Sequence, residues 1–99
     1  MRIWKIYTGL PVEGTYSYAD LEAWEAFVAY VAGGYTLYHT TGAWVNTDNG
    51  LITEPSMVFE ILDFDHHLDV HTLDIWRKDL AGILHQDLVL LTLQQGEVL

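Results

Sequence analysis

Apolar residues recur along the chain with two periods, and the changes of period mark the elements. Residues 2–9, RIWKIYTG, are dense in β-branched and aromatic types and predict a strand. Pro11 and Gly14 break it. Ser17 then stands as a helix N-cap with Asp20 three residues on. Leu21, Trp24, Phe27, Val28 and Val31 follow at helical spacing, and Gly33-Gly34 stops that helix. Residues 35–45, YTLYHTTGAWV, predict a second strand. NTDNG is turn chemistry, with Asn49-Gly50 suited to positive φ, and residues 51–62 form a third strand. A polar loop, DFDHHLD, leads into a second amphipathic helix over roughly residues 70–85, marked by Leu73, Trp76, Leu80, Ile83 and Leu84. LVLLTL, residues 88–93, is the last strand.

The order β-α-β-β-α-β is that of the ferredoxin-like class. It predicts an α+β sandwich in which two helices cover one face of a four-stranded antiparallel sheet, with residues 1–99 as a single domain. Alternation sorts the strand residues between the faces. Met57, Phe59 and Ile61 are the apolar set of the third strand and point to the helices. Glu54, Ser56, Val58 and Glu60 point away. In the second strand Tyr35 and Leu37 point inward. Thr36, Tyr38, Thr40 and Trp44 point outward, provided no bulge intervenes near Gly42, because a slip of one residue exchanges the two sets. LVLLTL is apolar on both sides and IWKIY nearly so. Such strands are buried on both sides as a rule. Two helices cover only one, so the open face is expected to pack on another subunit. Carboxylates in an interface require a partner, because desolvating them is costly. Lys5, Arg2 or a bound cation are the candidates.

Charge narrows the partners. Four Lys and Arg stand against fourteen Asp and Glu, a formal net charge of −10. Such a surface repels phosphate backbones and excludes nucleic-acid binding through a basic patch. It favours a cationic small molecule or a basic protein surface. No apolar run reaches membrane-spanning length. MRIWKIYTGL is short, interrupted by Lys5 and followed by no small-residue cleavage site, so it does not read as a signal peptide. There is no cysteine, which removes disulfides and thiolate metal sites and fits the cytoplasm.

Two constellations could carry chemistry. Glu54 and Glu60 with Tyr38 and Trp44 combine carboxylates with aromatic faces, a set suited to a cation through charge and cation–π attraction. DFDHHLDVH, residues 63–71, crowds Asp63, Asp65, His66, His67, Asp69 and His71 into nine residues. Imidazole and carboxylate are metal ligands, but the spacing matches no zinc motif with an intervening catalytic Glu. A solvated connector with Asp69 as helix N-cap accounts for it, and no metal site is assigned. His39 and His85 are isolated from any nucleophile and read as structural. The glycines form no phosphate-binding loop.

The stretch GGYTLYHTTGAWVNTDNGLITEPSMVFEIL is similar to a pattern in phage S-adenosylmethionine lyases: Gly, Thr-hydrophobic, Gly-x-aromatic, a short hairpin, then Glu and an apolar strand. The fold of those enzymes is akin to that of PII-type signalling proteins. The resemblance implies a homo-oligomer, a trimer, with ligand sites between subunits. It implies cleavage of S-adenosylmethionine to methylthioadenosine and homoserine lactone without metal or cofactor, in the cytoplasm of a phage-infected host, where it deprives restriction and methylation systems of their cofactor. Glu54 takes the place of the Glu after the hairpin. The aromatic hydroxyl near it is Tyr38 or else Tyr35, and Trp44, Glu60 and Ser56 complete the expected substrate site. Trp44 stands where relatives carry Tyr. The long loop of PII proteins between these strands is missing, which speaks against signalling through such a loop. Two other functions fit the sequence: a PII-like module that binds a nucleotide or metabolite without turnover, and an acidic anti-restriction protein. The second needs acids in rows. Here Asp20, Glu22, Glu25, Asp74 and Asp79 are scattered over the helices and interrupted by Arg77 and Lys78.

Overall fold

Alternation in the strands and 3.6-residue periodicity in the helices select the residues that bury, and those residues dictate how the layers stack. The computed structural model describes residues 1–48 and 50–98. Its elements are β1 (Arg2–Gly9), α1 (Tyr18–Ala32), β2 (Thr36–Val45), β3 (Leu51–Asp63), α2 (Val70–Leu84) and β4 (Leu90–Gln95). The strands lie in the order β2-β3-β1-β4, and every neighbouring pair is antiparallel. This is the ferredoxin-like sheet that the element order predicts.

One face of the sheet meets both helices. Trp4 and Ile6 of β1 and Met57, Phe59 and Ile61 of β3 pack on Leu21, Trp24 and Val28 of α1 and on Leu73, Trp76, Leu80 and Leu84 of α2. Each such side chain contributes roughly 1.5–3 kcal/mol on burial. Two of the three buried indoles have their N–H satisfied within the core. Trp24 Nε1 donates to the Trp76 carbonyl at 3.0 Å and ties the helices together, while Trp4 Nε1 donates to Asp63 Oδ2 at 3.3 Å.

Both helices begin at the predicted caps. Ser17 Oγ accepts from the Asp20 amide at 3.2 Å, and Asp69 Oδ1 accepts from the Thr72 amide at 2.8 Å. The buried stripe of α1 is Leu21, Trp24, Val28 and Ala32, which leaves Phe27 and Val31 on its exposed flank. The last strand is Leu90–Gln95 rather than residues 88–93. The cause is the connector: α2 ends in a left-handed His85, and the chain must turn back through residues 86–89 before it can pair with β1. Val89 is buried there, its carbonyl held by Arg77 Nη1 at 3.2 Å, while Leu88 stays exposed.

The β2–β3 ladder runs without a bulge from Thr36↔Glu60 to Val45↔Leu51. Its turn is held by Asn46 Oδ1, which accepts from the amides of Asp48 and Gly50 at 3.0 and 2.9 Å. Asn49, the other half of the predicted turn pair, lies outside the described residues. The hairpin reaches past the helices, so Val45 and Leu51 are exposed even on the helix side. That arm stretches the molecule to 46 × 31 × 22 Å with a radius of gyration of 14.5 Å, against about 13 Å for a compact chain of this length. No helix among the described residues is long and apolar enough to cross a membrane.

Candidate functional site

The uninterrupted register fixes what the open face displays, row by row. Thr36, Glu60, Lys5 and Thr92 share one row; Tyr38, Val58, Tyr7 and Leu90 the next; then Thr40, Ser56 and Gly9; then Gly42 and Glu54; and last Trp44 and Ile52 on the arm. Five of the six residues singled out in the sequence therefore stand on one face: Tyr38, Trp44, Glu54, Ser56 and Glu60.

The two ends of that face differ in charge balance. At one end Glu60 is occupied: Lys5 Nζ lies 3.8 Å from its Oε2, and the Tyr38 hydroxyl donates to its Oε1 at 3.4 Å. At the other end stands Glu54, and among the described residues no side chain or amide donates to its carboxylate. The chain has four Lys and Arg. Lys5 pairs with Glu60, Arg2 with Asp63 at 3.2 Å, and Arg77 and Lys78 with Asp74 at 2.5 and 3.1 Å. Every basic side chain is thus committed elsewhere. Of the partners considered for the two glutamates, Lys5 serves Glu60 and Arg2 serves neither.

Across the Ser56 and Val58 rows lies an open cavity of about 410 Å³, lined by Tyr7, Gly9, Thr40, Gly42, Ser56 and Leu90 among others, with Glu54 outside its lining. Glycine inside a strand marks a close approach, and both glycines here do so. A Cβ on Gly9 would lie 2.7 Å from Gln86 Oε1 and 3.5 Å from Glu54 Oε1. A Cβ on Gly42 would lie 2.8 Å from Ser56 Oγ. The bare backbone lets three oxygen-bearing side chains fold over the end of the sheet. These oxygens are acceptors suited to a cation, and the Tyr7, Val58 and Leu90 row lies further along the face, next to Ser56 and two rows from Glu54.

Tyr35 stands apart. It precedes β2 and faces the helices, edge-on to Phe59 with ring centroids 5.4 Å apart. Partial burial and the neighbouring Glu25 raise its phenol pKa. The sheet separates it from Glu54. Tyr38 is on the open face but level with Val58, four residues along β3 from Glu54, or about 13 Å at strand rise. One chain alone does not bring Tyr38 to Glu54.

The folds of solved proteins were compared with this one. The chain superposes on a phage SAM lyase in complex with S-methyl-5'-thioadenosine with a TM-score of 0.67 at 20% identity, over 95% of this chain and 80% of that one. A phage SAM lyase in the apo state gives 0.66 at 20% identity, over 94% and 78%. The PII-like protein CutA from a Nostoc species gives 0.56 at 10% identity, over 98% and 82%. This chain has the fold of the phage SAM lyase. That fold is shared with the PII-like proteins, as the sequence pattern implied. No family model and no curated protein matches the sequence.

The histidine-rich loop follows a different logic from the open face. Asp63, Asp65 and His67 offer ligand atoms within 4.8 Å of one another, but Asp63 is fully buried and its oxygens are engaged. Oδ2 accepts from Arg2 Nη2, Trp4 Nε1 and the Leu68 amide, and Oδ1 from the His67 amide, at 3.1–3.3 Å. His67 Nδ1 meets Asp65 Oδ1 at 2.5 Å, and its Nε2 meets the Val31 carbonyl at the end of α1 at 3.1 Å. Asp65, then Val31, raise the imidazole pKa, and His67 lowers that of Asp65. His39 lies on the helix-side set of β2, level with Met57, and His85 is the left-handed cap of α2.

Sequence reasoning did not single out Gly9, Tyr7 or Gln86. A glycine closing a strand was the available signal for the first. Gln86 had none, because only the geometry of the α2–β4 connector aims its amide at the sheet.

Proposed function

We propose that this protein is a lyase that cleaves S-adenosylmethionine to methylthioadenosine and homoserine lactone. The observation that carries the reading is the unpartnered Glu54 carboxylate on the open face of a fold shared with a phage SAM lyase over 95% of the chain. The substrate carries a sulfonium and an ammonium, and this end of the sheet offers acceptors with no competing base.

The reaction is intramolecular. An oxygen of the substrate's carboxylate attacks its own γ-carbon, the Cγ–S bond breaks, and the bonding pair passes to sulfur. Carboxylate and sulfonium lose their charges together, and atoms and electrons balance without water, metal or cofactor. Two things are then required of the protein: to hold the amino-acid tail curled in the attack geometry, and to keep water out. Glu54 binds the ammonium and need not be a nucleophile. Ser56 adds an acceptor, Trp44 flanks the site from the arm, and Glu60 with its Lys5 and Tyr38 partners borders the apolar patch. Tyr38 reaches a Glu54 site only across copies, which supports a homo-oligomer, a trimer by resemblance, with the site between subunits. Such an enzyme acts in the cytoplasm of an infected host as an anti-restriction device.

A second reading is a PII-like module that binds a metabolite without turnover, favoured by the likeness to CutA from Nostoc and Synechococcus. The two separate cleanly. Micromolar protein incubated with S-adenosylmethionine and analysed by chromatography with mass detection yields methylthioadenosine and homoserine lactone if it is a lyase. Glu54→Gln abolishes most of that yield. Homoserine without lactone would mean hydrolysis, and intact substrate in both samples would sink the enzyme reading in favour of the binding module.

A further inference from the structure

We infer that Gln86 is a binding residue for the substrate's ammonium, acting with Glu54, and that Gly9 exists to let it reach. The inference rests on the lyase reading for the identity of the substrate, but the contact itself is drawn from the connector after α2. The left-handed His85 turns the chain, and the Gln86 amide is pinned to the Ala81 carbonyl at 3.0 Å. The side chain is oriented as well. Its Nε2 donates to the Leu84 carbonyl at 3.3 Å, which leaves Oε1 as the end facing the sheet. That oxygen lies 2.7 Å from the point where a Cβ of Gly9 would sit, and Glu54 Oε1 lies 3.5 Å from the same point. Two acceptors from different elements converge on one position, and all four basic side chains are paired elsewhere.

An amide oxygen and a carboxylate oxygen that both flank the side-chain face of Gly9 suit a group with several N–H donors and a positive charge. A primary ammonium is such a group; a neutral purine or a thioether is not. Gln86 thereby distinguishes ligands that carry the amino-acid tail from those that do not. Gly9 is the enabling position. Its φ lies outside the left-handed region, so alanine is compatible with the backbone, and the added methyl displaces the flexible end of Gln86.

The test is calorimetric titration of wild type, Gln86→Leu and Gly9→Ala with two ligands. S-adenosylhomocysteine carries the ammonium and lacks the sulfonium. Methylthioadenosine lacks the amino-acid tail. Both variants are expected to weaken the first about 10-fold, the effect of one charge-assisted hydrogen bond, and to leave the second within about 2-fold. Turnover of S-adenosylmethionine by the wild type is followed alongside. Equal losses for both ligands, or no loss for either, overturn the assignment of Gln86 even if the wild type is a lyase. Selective loss without turnover keeps the ammonium contact and overturns the lyase. A wild type that binds neither ligand overturns both. Circular dichroism melts of the two variants within a few degrees of wild type exclude misfolding as the cause.

Discussion

Two regions of this molecule hold carboxylates, and they use them in opposite ways. Around Asp63 the acids are spent inside the fold. Four donors converge on one buried carboxylate, and the next acid, Asp65, is held by His67. At the far end of the open face, Glu54 and Gln86 place oxygens on either side of Gly9, and among the described residues no donor serves the Glu54 carboxylate. The sequence makes the first region look richer in chemistry, with six acids and histidines in nine residues. The structure engages Asp63 fully and leaves hydrogen-bonding capacity at Glu54, an exposed carboxylate on the open face. A carboxylate that already serves four donors has little left to offer a ligand.

If this contrast is right, the two carboxylates respond oppositely to substitution. Asp63→Ala takes the acceptor from the Trp4 indole and from the His67 and Leu68 amides, and leaves Arg2 with only the His66 and Leu68 carbonyls. It is expected to destabilise the protein by about 3–5 kcal/mol, the range for removing one partner of a buried charged pair. Urea unfolding measures this directly, and a loss under about 1 kcal/mol would show that the Asp63 knot is not structural. Glu54→Gln is expected to leave the unfolding midpoint nearly unchanged, within about 0.5 kcal/mol. It should lower kcat/KM for S-adenosylmethionine on the order of 100-fold, as loss of a desolvated charge contact does. A stability loss at Glu54 comparable to that at Asp63 would erase the distinction.

The parts of this contrast that sequence conveys are those set by local chemistry. The element order, the caps at Ser17 and Asp69, and the inward set Met57, Phe59 and Ile61 all follow from period and capping, and the structure carries each of them. The same alternation put Glu54, Ser56, Tyr38, Trp44 and Glu60 on one face, because the β2–β3 ladder has no bulge to reverse it. What was not legible is non-local. Alternation already put Tyr35 inward and Tyr38 outward, but only the register shows Tyr38 level with Val58, about 13 Å along β3 from Glu54. Phe27 and Val31 fit a helical stripe as well as Ala32 does, and only the packing of α2 decides which flank stays wet. The start of β4 depended on how α2 terminates, and a histidine in the left-handed conformation leaves no mark in composition. Nor could pairing be read: which glutamate Lys5 serves is a fact of β1 lying beside β3.

A smaller effect tests whether the acid-rich loop is structural throughout. Asp69 caps α2 through the Thr72 amide, so Asp69→Ala is expected to lower the unfolding midpoint by less than Asp63→Ala does, with no change in binding of S-adenosylmethionine. Its carboxyl pKa is held down first by that backbone hydrogen bond. The folded value lies below the unfolded one, so the contribution is present above the ordinary carboxylate range and is lost as pH falls through the folded pKa. The difference in stability between wild type and Asp69→Ala should therefore be full at neutral pH and shrink in acid. A difference that persists unchanged at pH about 2 would assign it to helix propensity rather than to the cap.

The subtlest expected effect is at His67, where the same loop meets α1. Both ring nitrogens face acceptors: Nδ1 faces Asp65 and Asp63, and Nε2 faces the Val31 carbonyl. A neutral imidazole donates from one nitrogen only, so the charged form alone satisfies both sides. The last turn of α1 holds no basic residue, and His67 brings positive charge to a helix end that favours it. The pKa is raised above its ordinary value of about 6.5, so this contribution is fully present below that pH and is lost as pH rises through the folded value. The Asp65 carboxyl is lowered by the same contact, and its share is lost only in acid. Between about pH 4 and 6.5 both are present. The melting-temperature advantage of wild type over His67→Gln should thus be greatest and level across that window and diminish above it. An advantage that stays flat from pH about 5 to 9 would mean that the ring bonds as a neutral group, and that one of its two contacts does not form in solution.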